Sequence, residues 1–95
     1  MDLERKLNSV GKQAFVENYD IFKKYASGRI AREDAIEQLV KLGVSNEAGA
    51  AIRVGNAKLI FDAGKTLEAL NLVLEAKRMP LDVTVEARKI MREIA

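Results

Sequence analysis

Four cations with no acid between them lie in the first third of the chain, with one tyrosine among them. Two of them, Arg29 and Arg32, stand at the start of a predicted helix, where the helix dipole disfavours positive charge by a few tenths of a kcal/mol, roughly. A sequence that keeps cations there is using their charge, for phosphates or for an acidic partner. The residues of this predicted binding surface are Lys23, Lys24, Tyr25, Arg29 and Arg32.

A second group of cations lies across the last two predicted helices. Lys77 and Arg78 also have a structural use, because they close a helix C-terminus favourably. Glu86 and Glu93 dilute the rest of the group. This secondary basic patch consists of Lys77, Arg78, Arg88, Lys89 and Arg92.

The chain contains no His and no Cys. The commonest general base, the thiol nucleophile and the nitrogen and sulfur ligands of transition metals are therefore missing. The carboxylates are spread over helix faces that we expect to be exposed. We predict a non-enzymatic protein with no catalytic residues, no metal site and no cofactor.

The stretch LVKLGVSNEAGAAIRVGNAK has the outline of a helix-turn-helix. Leu42, Val44 and Ile52 fall where that motif packs its two helices together. Asn46 and Arg53 are the only well-placed hydrogen-bond donors on its second helix. Reading base edges needs several convergent donors, so the match is partial.

The same stretch has a second interpretation, which explains more of its residues. Ala48, Ala51 and Gly55 recur at i, i+3 and i+7 and form a face that is poor in side-chain atoms. Glycine costs about 1 kcal/mol in a helix interior relative to alanine, which favours a need for close approach. We therefore expect Gly55 to lie against a neighbouring helix in a tight corner.

The elements that carry these residues are predicted to be helices, because apolar residues recur at helical spacing and no long alternation indicates a strand. A break or kink is expected at about residues 8–12, and Gly28, Gly43 and Gly64 each end a segment. The fold class is all-α, a compact bundle of four to six short helices in a single domain, residues 1–95. The predicted segments cover roughly residues 2–26, 32–42, 45–63 and 66–79, and a last segment begins at Asp82 or Thr84 and includes Ile94.

The composition agrees with a globular domain: 48% of the 95 residues are hydrophobic and 32% are charged. The absence of Cys fits a reducing cytoplasm. The N-terminus lacks the apolar core of a signal peptide, and no stretch approaches the length of a membrane span. We expect a cytoplasmic protein without a membrane partner. The net charge of +2 is too small to indicate nucleic acid, so the distribution of charge must do so.

The order FVENYDIFKKYASGRIAREDAIEQLVKLGVSNEAGAAIRVGNAKLIF resembles the helical module that precedes the catalytic domain in some HNH-type restriction endonucleases. Those modules pair a Tyr-bearing helix with an Ile-led R-x-x-A-I helix and a helix of small residues. The resemblance covers roughly residues 15–64, and the HNH nuclease segment is missing from this chain. It implies a DNA-associated or partner-binding module in which Tyr25, Arg29 and Arg32 matter most.

Two functions follow from these observations. The first is a helical module that binds nucleic acid, or the acidic surface of a nucleic-acid-handling protein, through residues 23–32. The second is a protein-interaction or regulatory module, either a homo-oligomer such as a homodimer or an inhibitor of a larger assembly. Its surface would be apolar, for example on the helix where Leu72 and Leu74 do not fit one narrow face.

Overall fold

The computed structural model describes residues 1–94, and over that range the chain forms seven α-helices and no strand. This confirms the all-α fold class, although the helices are more numerous than expected. Ala95, the last residue of the predicted domain, lies outside the described residues. The helices are α1 (Leu3–Val10), α2 (Lys12–Glu17), α3 (Tyr19–Ala26), α4 (Arg32–Lys41), α5 (Glu47–Asp62), α6 (Thr66–Glu75) and α7 (Leu81–Ile94).

The additional helices come from the N-terminal segment, which breaks twice. The break predicted at about residues 8–12 is confirmed at Gly11, whose φ of 94° is one that L side chains rarely adopt. A second break, at Asn18, was not predicted. The backbone and side-chain amides of Asn18 both donate to the Ala14 carbonyl, at 3.0 and 3.1 Å. Such local bonds compete with the regular ladder, so the chain turns slightly between α2 and α3.

Three helices end at glycines, as the sequence predicts. After each glycine, the next backbone N–H donates to a carbonyl five residues earlier, which is the Schellman closure of a helix. The bonds join Arg29 to Lys24 (2.8 Å), Val44 to Leu39 (3.0 Å) and Lys65 to Ile60 (3.1 Å). These closures are local, which is why the sequence alone could locate them.

Helix α5 occupies the centre of the molecule and packs against α1, α3 and α4. Its inner face consists of Ala50, Val54, Ala57 and Ile60, all with no exposed surface. The two alanines let neighbouring helices approach the α5 backbone closely. The tight packing expected for this helix therefore exists, but on a different face.

The expectation that Gly55 packs against a neighbouring helix of the same chain is wrong. A Cβ atom at Gly55 would meet nothing within 4 Å. Ala48, on the same face, is exposed, and Ile52 beside them is 58% exposed. Both faces of α5 are apolar, so periodicity could not indicate which one turns inward.

Helices α2, α3 and α5 are joined by a cluster of aromatic side chains. The Phe15 ring lies 5.9 Å from Tyr19, 6.2 Å from Phe22 and 6.0 Å from Phe61, centroid to centroid. The Tyr19 and Phe61 rings are 5.3 Å apart. These separations are typical of favourable aromatic pairs, so the cluster fixes α3 against the end of α5.

Two glycines should respond oppositely to alanine. Gly55→Ala should raise the free energy of unfolding by up to about 1 kcal/mol, because the site is open and alanine favours helix. Gly11→Ala should lower it by about 1–3 kcal/mol, because an L residue is strained at that φ. A Cβ there would also lie 2.7 Å from the Arg53 Nη1 atom. Urea denaturation of both variants measures the two changes, and a destabilised Gly55→Ala would contradict the open position of Gly55.

Candidate functional site

The predicted cations lie around the turn between α3 and α4, a surface that we name the basic corner: Lys23, Lys24, Arg29 and Arg32. Gly28 has a φ of 78°, which lets the chain reverse directly after α3. The Arg29 N–H then donates to the Lys24 carbonyl, so the backbones of these two residues adjoin. All four side chains are exposed.

No cation of the basic corner forms an ion pair within residues 1–94. The side-chain ion pairs of this range are Lys41–Glu37, Lys58–Asp62 and Lys65–Glu68. Each of them joins residues three or four apart on one exposed helix surface, where such pairs contribute little to stability. The positive charge of the corner is therefore available to an external anion.

Lys23 and Lys24 face different surroundings, because consecutive residues on a helix are separated by about 100°. Lys23 lines a cleft of about 410 Å³ between α3, α6, α7 and the end of α5. Asp62 and Glu93 line the same cleft, so acids lie near Lys23. Lys24 lies further round the helix and is not part of this cleft.

Arg32 lies at the other edge of the basic corner. It lines a groove between α4 and the start of α5, together with Glu33, Glu37 and Glu47. Lys24 and Arg29 therefore form the centre of the corner, and Lys23 and Arg32 extend it on two sides towards acidic surroundings.

Tyr25 has structural contacts, although the sequence grouped it with the cations. Its side chain is half-buried and packs against the hydrophobic core. On α5, the hydrogen bond from Lys58 to Asp62 raises the pKa of that lysine, and Tyr25 lies near enough that its phenolate, when ionised, raises it slightly further. Tyr25 thus joins α3 to α5 beside the corner.

The secondary basic patch is also divided by the structure, although all five of its side chains are exposed. Arg88 and Arg92 share the outer face of α7 with Leu81 and Val85, at i, i+4, i+7 and i+11. Leu81 is 76% exposed and Val85 is 54% exposed, so this outer face of α7 is both apolar and cationic. Lys77 and Arg78 lie in the turn that precedes it.

Lys89 is separate from that face. It lines a groove on the side of α7 that meets α2 and α3, with Glu17, Asp20, Glu86 and Glu93. Its charge is therefore surrounded by carboxylates.

The residues of the helix-turn-helix outline have other roles. Asn46 caps α5, since its Oδ1 atom accepts the Gly49 N–H at 2.8 Å. The Arg53 guanidinium donates to the Val10 carbonyl at the end of α1. Leu42 and Ile52, which the motif would bury between its helices, are 63% and 58% exposed. These exposures do not fit the packing of a helix-turn-helix, and the open position of Gly55 does not fit a tight corner on this face either.

The described part of the chain contains no group of three or more His, Cys, Asp or Glu residues placed to hold a metal ion. In residues 1–94, no helix has the length and apolarity needed to cross a membrane.

Comparison of the chain with protein-family models, curated proteins and solved structures gives no significant match.

Tyr19 connects the cleft beside Lys23 to the stability of the fold. Burial raises the pKa of its hydroxyl above the usual value of about 10, and the carboxylates of Asp20 and Glu93 raise it further. The unfolded chain therefore loses this proton at a lower pH than the folded chain does. The contribution of protonated Tyr19 to the free energy of unfolding is therefore fully present below about pH 10 and falls as the pH rises above that value.

We expect Tyr19→Phe to make the free energy of unfolding fall less steeply with pH above about pH 10. Denaturation at a series of alkaline pH values measures this slope. Tyr25→Phe, which removes a hydroxyl from the same helix, is the control. Parallel curves for the parent and Tyr19→Phe would show that the Tyr19 proton is not linked to folding.

We expect Arg53 to contribute to the stability of the fold and not to nucleic-acid binding. Arg53→Met removes the guanidinium from the Val10 carbonyl, so we expect a loss of about 1.5–3 kcal/mol in the free energy of unfolding. Arg92→Met, at an exposed position, should change it by less than about 0.5 kcal/mol. If Arg53→Met instead leaves stability unchanged and abolishes DNA binding, Arg53 belongs to the interface.

Proposed function

We propose that this chain is a small, non-enzymatic helical module of the cytoplasm that binds nucleic acid through its basic corner. The same surface would suit an acidic face of a nucleic-acid-handling protein. The observation that supports this most is the exposure of four cations, without an ion pair in the described residues, around one Schellman turn.

Lys24 and Arg29 are the centre of the proposed contact. Arg29 presents a planar guanidinium that can bind two oxygens of a phosphate, and Lys24 adds a compact charge beside it. Lys23 and Arg32 extend the contact and are partly offset by the acids near them. Such a surface contacts phosphates and does not read base edges, so the proposed binding is non-specific in sequence.

The resemblance to the module that precedes the nuclease domain in HNH-type endonucleases agrees with this proposal. It suggests that the chain positions, or recruits, an activity carried elsewhere. Within the resemblance, Arg29 and Arg32 keep their proposed role at the interface. Tyr25 is assigned to packing, because its side chain lies partly in the core.

The experiment is a titration of random-sequence duplex DNA at about 50 mM and about 200 mM salt. Four phosphate contacts predict that the affinity of the parent falls on the order of a hundredfold between these conditions. Arg29→Glu with Arg32→Glu should weaken binding at least about tenfold at the lower salt concentration and reduce the salt slope by about two. Arg32 is the first residue of α4, where the dipole favours glutamate, and Arg29 is exposed in the turn before it, so circular dichroism should show an intact fold.

The matched control is Arg5→Glu with Lys12→Glu, which changes the net charge equally outside both basic surfaces. Lys12 begins α2 as Arg32 begins α4, so the effects on helix starts are comparable. Equal losses in the two double variants would mean that only net charge matters. Unchanged binding in the corner variant would make the basic corner an ordinary solvated surface.

A second candidate function is protein interaction through the outer face of α7. The exposed Leu81 and Val85 support it. Aliphatic side chains do not bind phosphates, but they pack favourably against an apolar protein surface. Arg88 and Arg92 on the same face favour a partner helix with acidic residues beside its apolar ones. Arg88→Glu with Arg92→Glu should leave DNA affinity close to that of the Arg5 and Lys12 control if this face serves a protein partner.

A further inference from the structure

Helix α5 carries an exposed apolar face that no other element of residues 1–94 covers, and we infer that a second copy of the chain covers it. The residues that we name the outer face of α5 are Ala48, Ile52, Gly55, Asn56, Leu59 and Ala63. Ile52 is 58% exposed and Leu59 is 47% exposed, although both stand on the helix that forms the centre of the fold. Apolar residues thus stand on two opposite faces of α5, and an apolar helix face is usually buried against a neighbouring element. This inference is independent of the basic corner and does not require nucleic acid.

A glycine, Gly55, stands at the middle of this face. Gly55 costs about 1 kcal/mol in a helix interior relative to alanine. Inside the chain it brings no benefit, because a Cβ atom there would meet no other atom within 4 Å. A glycine in the middle of an exposed apolar face does have a use if another helix crosses there, since two backbones can then approach closely.

The spacing of the six residues on this face is the same when counted in either direction along the helix. Along the chain, the steps between the six residues are four, three, one, three and four positions. When two copies of α5 cross antiparallel about a two-fold axis midway between Gly55 and Asn56, Ile52 meets the partner's Leu59. Ala48 then meets the partner's Ala63. A two-fold contact needs such a self-complementary surface, since each patch must face itself.

The outer face of α5 is neutral, as a contact between two identical faces requires. In a two-fold contact any net charge on the face would meet the same charge on the other copy, which is repulsive. The outer face of α5 contains no ionised residue. At its edge, Lys58 and Asp62 neutralise each other, with 2.7 Å between Nζ and Oδ2. Asn56 keeps its side-chain amide on its own helix, donating to the Ile52 carbonyl at 2.9 Å. The outer face of α7, which carries Arg88 and Arg92, does not meet this condition.

The size of the face sets the expected strength. The 16 residues of α5 rise about 1.5 Å each, so the helix is about 24 Å long. One pair of helices covers less than the roughly 800 Å² per partner of a standard interface. We therefore expect a weak dimer, with a Kd on the order of 10⁻⁴ M.

The experiment is sedimentation equilibrium of the full chain at concentrations from about 10 μM to about 1 mM, which bracket this Kd. The mean mass of the parent should rise from 10.5 kDa towards twice that value. Ile52→Glu and Leu59→Lys, each alone, should raise the Kd at least about tenfold, because a charge would be desolvated against an aliphatic side chain. Both positions are exposed, so circular dichroism should show unchanged folding.

Combining the two substitutions tests the register. In the antiparallel pairing, the glutamate of Ile52→Glu in one copy meets the lysine of Leu59→Lys in the other. Because these charges are opposite, the Kd of the double variant should return to within about a few-fold of the parent value. In a parallel pairing like charges would meet, and the double variant would associate no better than either single one. Failure of this recovery would overturn the antiparallel contact.

Val85→Glu is the matched control, because Val85 is a β-branched residue of similar exposure (54%) on a different helix. It should leave the Kd unchanged. A parent that remains a monomer at about 1 mM overturns the inference, and so does a Val85→Glu variant that loses association as strongly as Ile52→Glu.

Discussion

The buried inner face of α5 holds α1, α3 and α4 in place. Ala50 and Ala57 lie two helical turns apart, are fully buried, and set how closely the neighbouring helices approach. Larger side chains there would separate α5 from its neighbours and strain a core that is packed at crystal-like density. Val54 and Ile60 fill the space beside the alanines. The position of α3, and with it the position of the basic corner, follows from this packing.

Local signals in the sequence carried most of the fold. Helix ends at Gly28, Gly43 and Gly64 could be predicted because a Schellman closure involves only six consecutive residues. The helix caps were harder, since Ser45 and Asn46 are adjacent and both are good caps. Which of the two accepts the Gly49 N–H depends on how the loop enters α5. The face of α5 was assigned wrongly, because its two faces have similar apolar character and only tertiary packing distinguishes them.

The candidate site could be predicted as a group of residues but not as a geometry. The cations of the basic corner are close in sequence, and the turn at Gly28 does bring Lys24 and Arg29 together. The sequence could not indicate which acidic residues lie near these cations in the folded protein. Glu93 reaches the cleft of Lys23 from the other end of the chain. A linear scan compares neighbours along the chain, whereas the field at a side chain is set by neighbours in space.

The bond from Arg53 to the Val10 carbonyl has a consequence for the order in which the protein folds during synthesis. It joins residues that are 43 positions apart, and α1 packs against α5 more extensively than against any other helix. While the ribosome has released only the first four helices, α1 therefore lacks its main packing surface and keeps Leu7 and Val10 open to solvent or to chaperones. Emergence of α5 supplies the missing surface for α1, α3 and α4 at once. Folding on the ribosome should accordingly occur late and in one cooperative step.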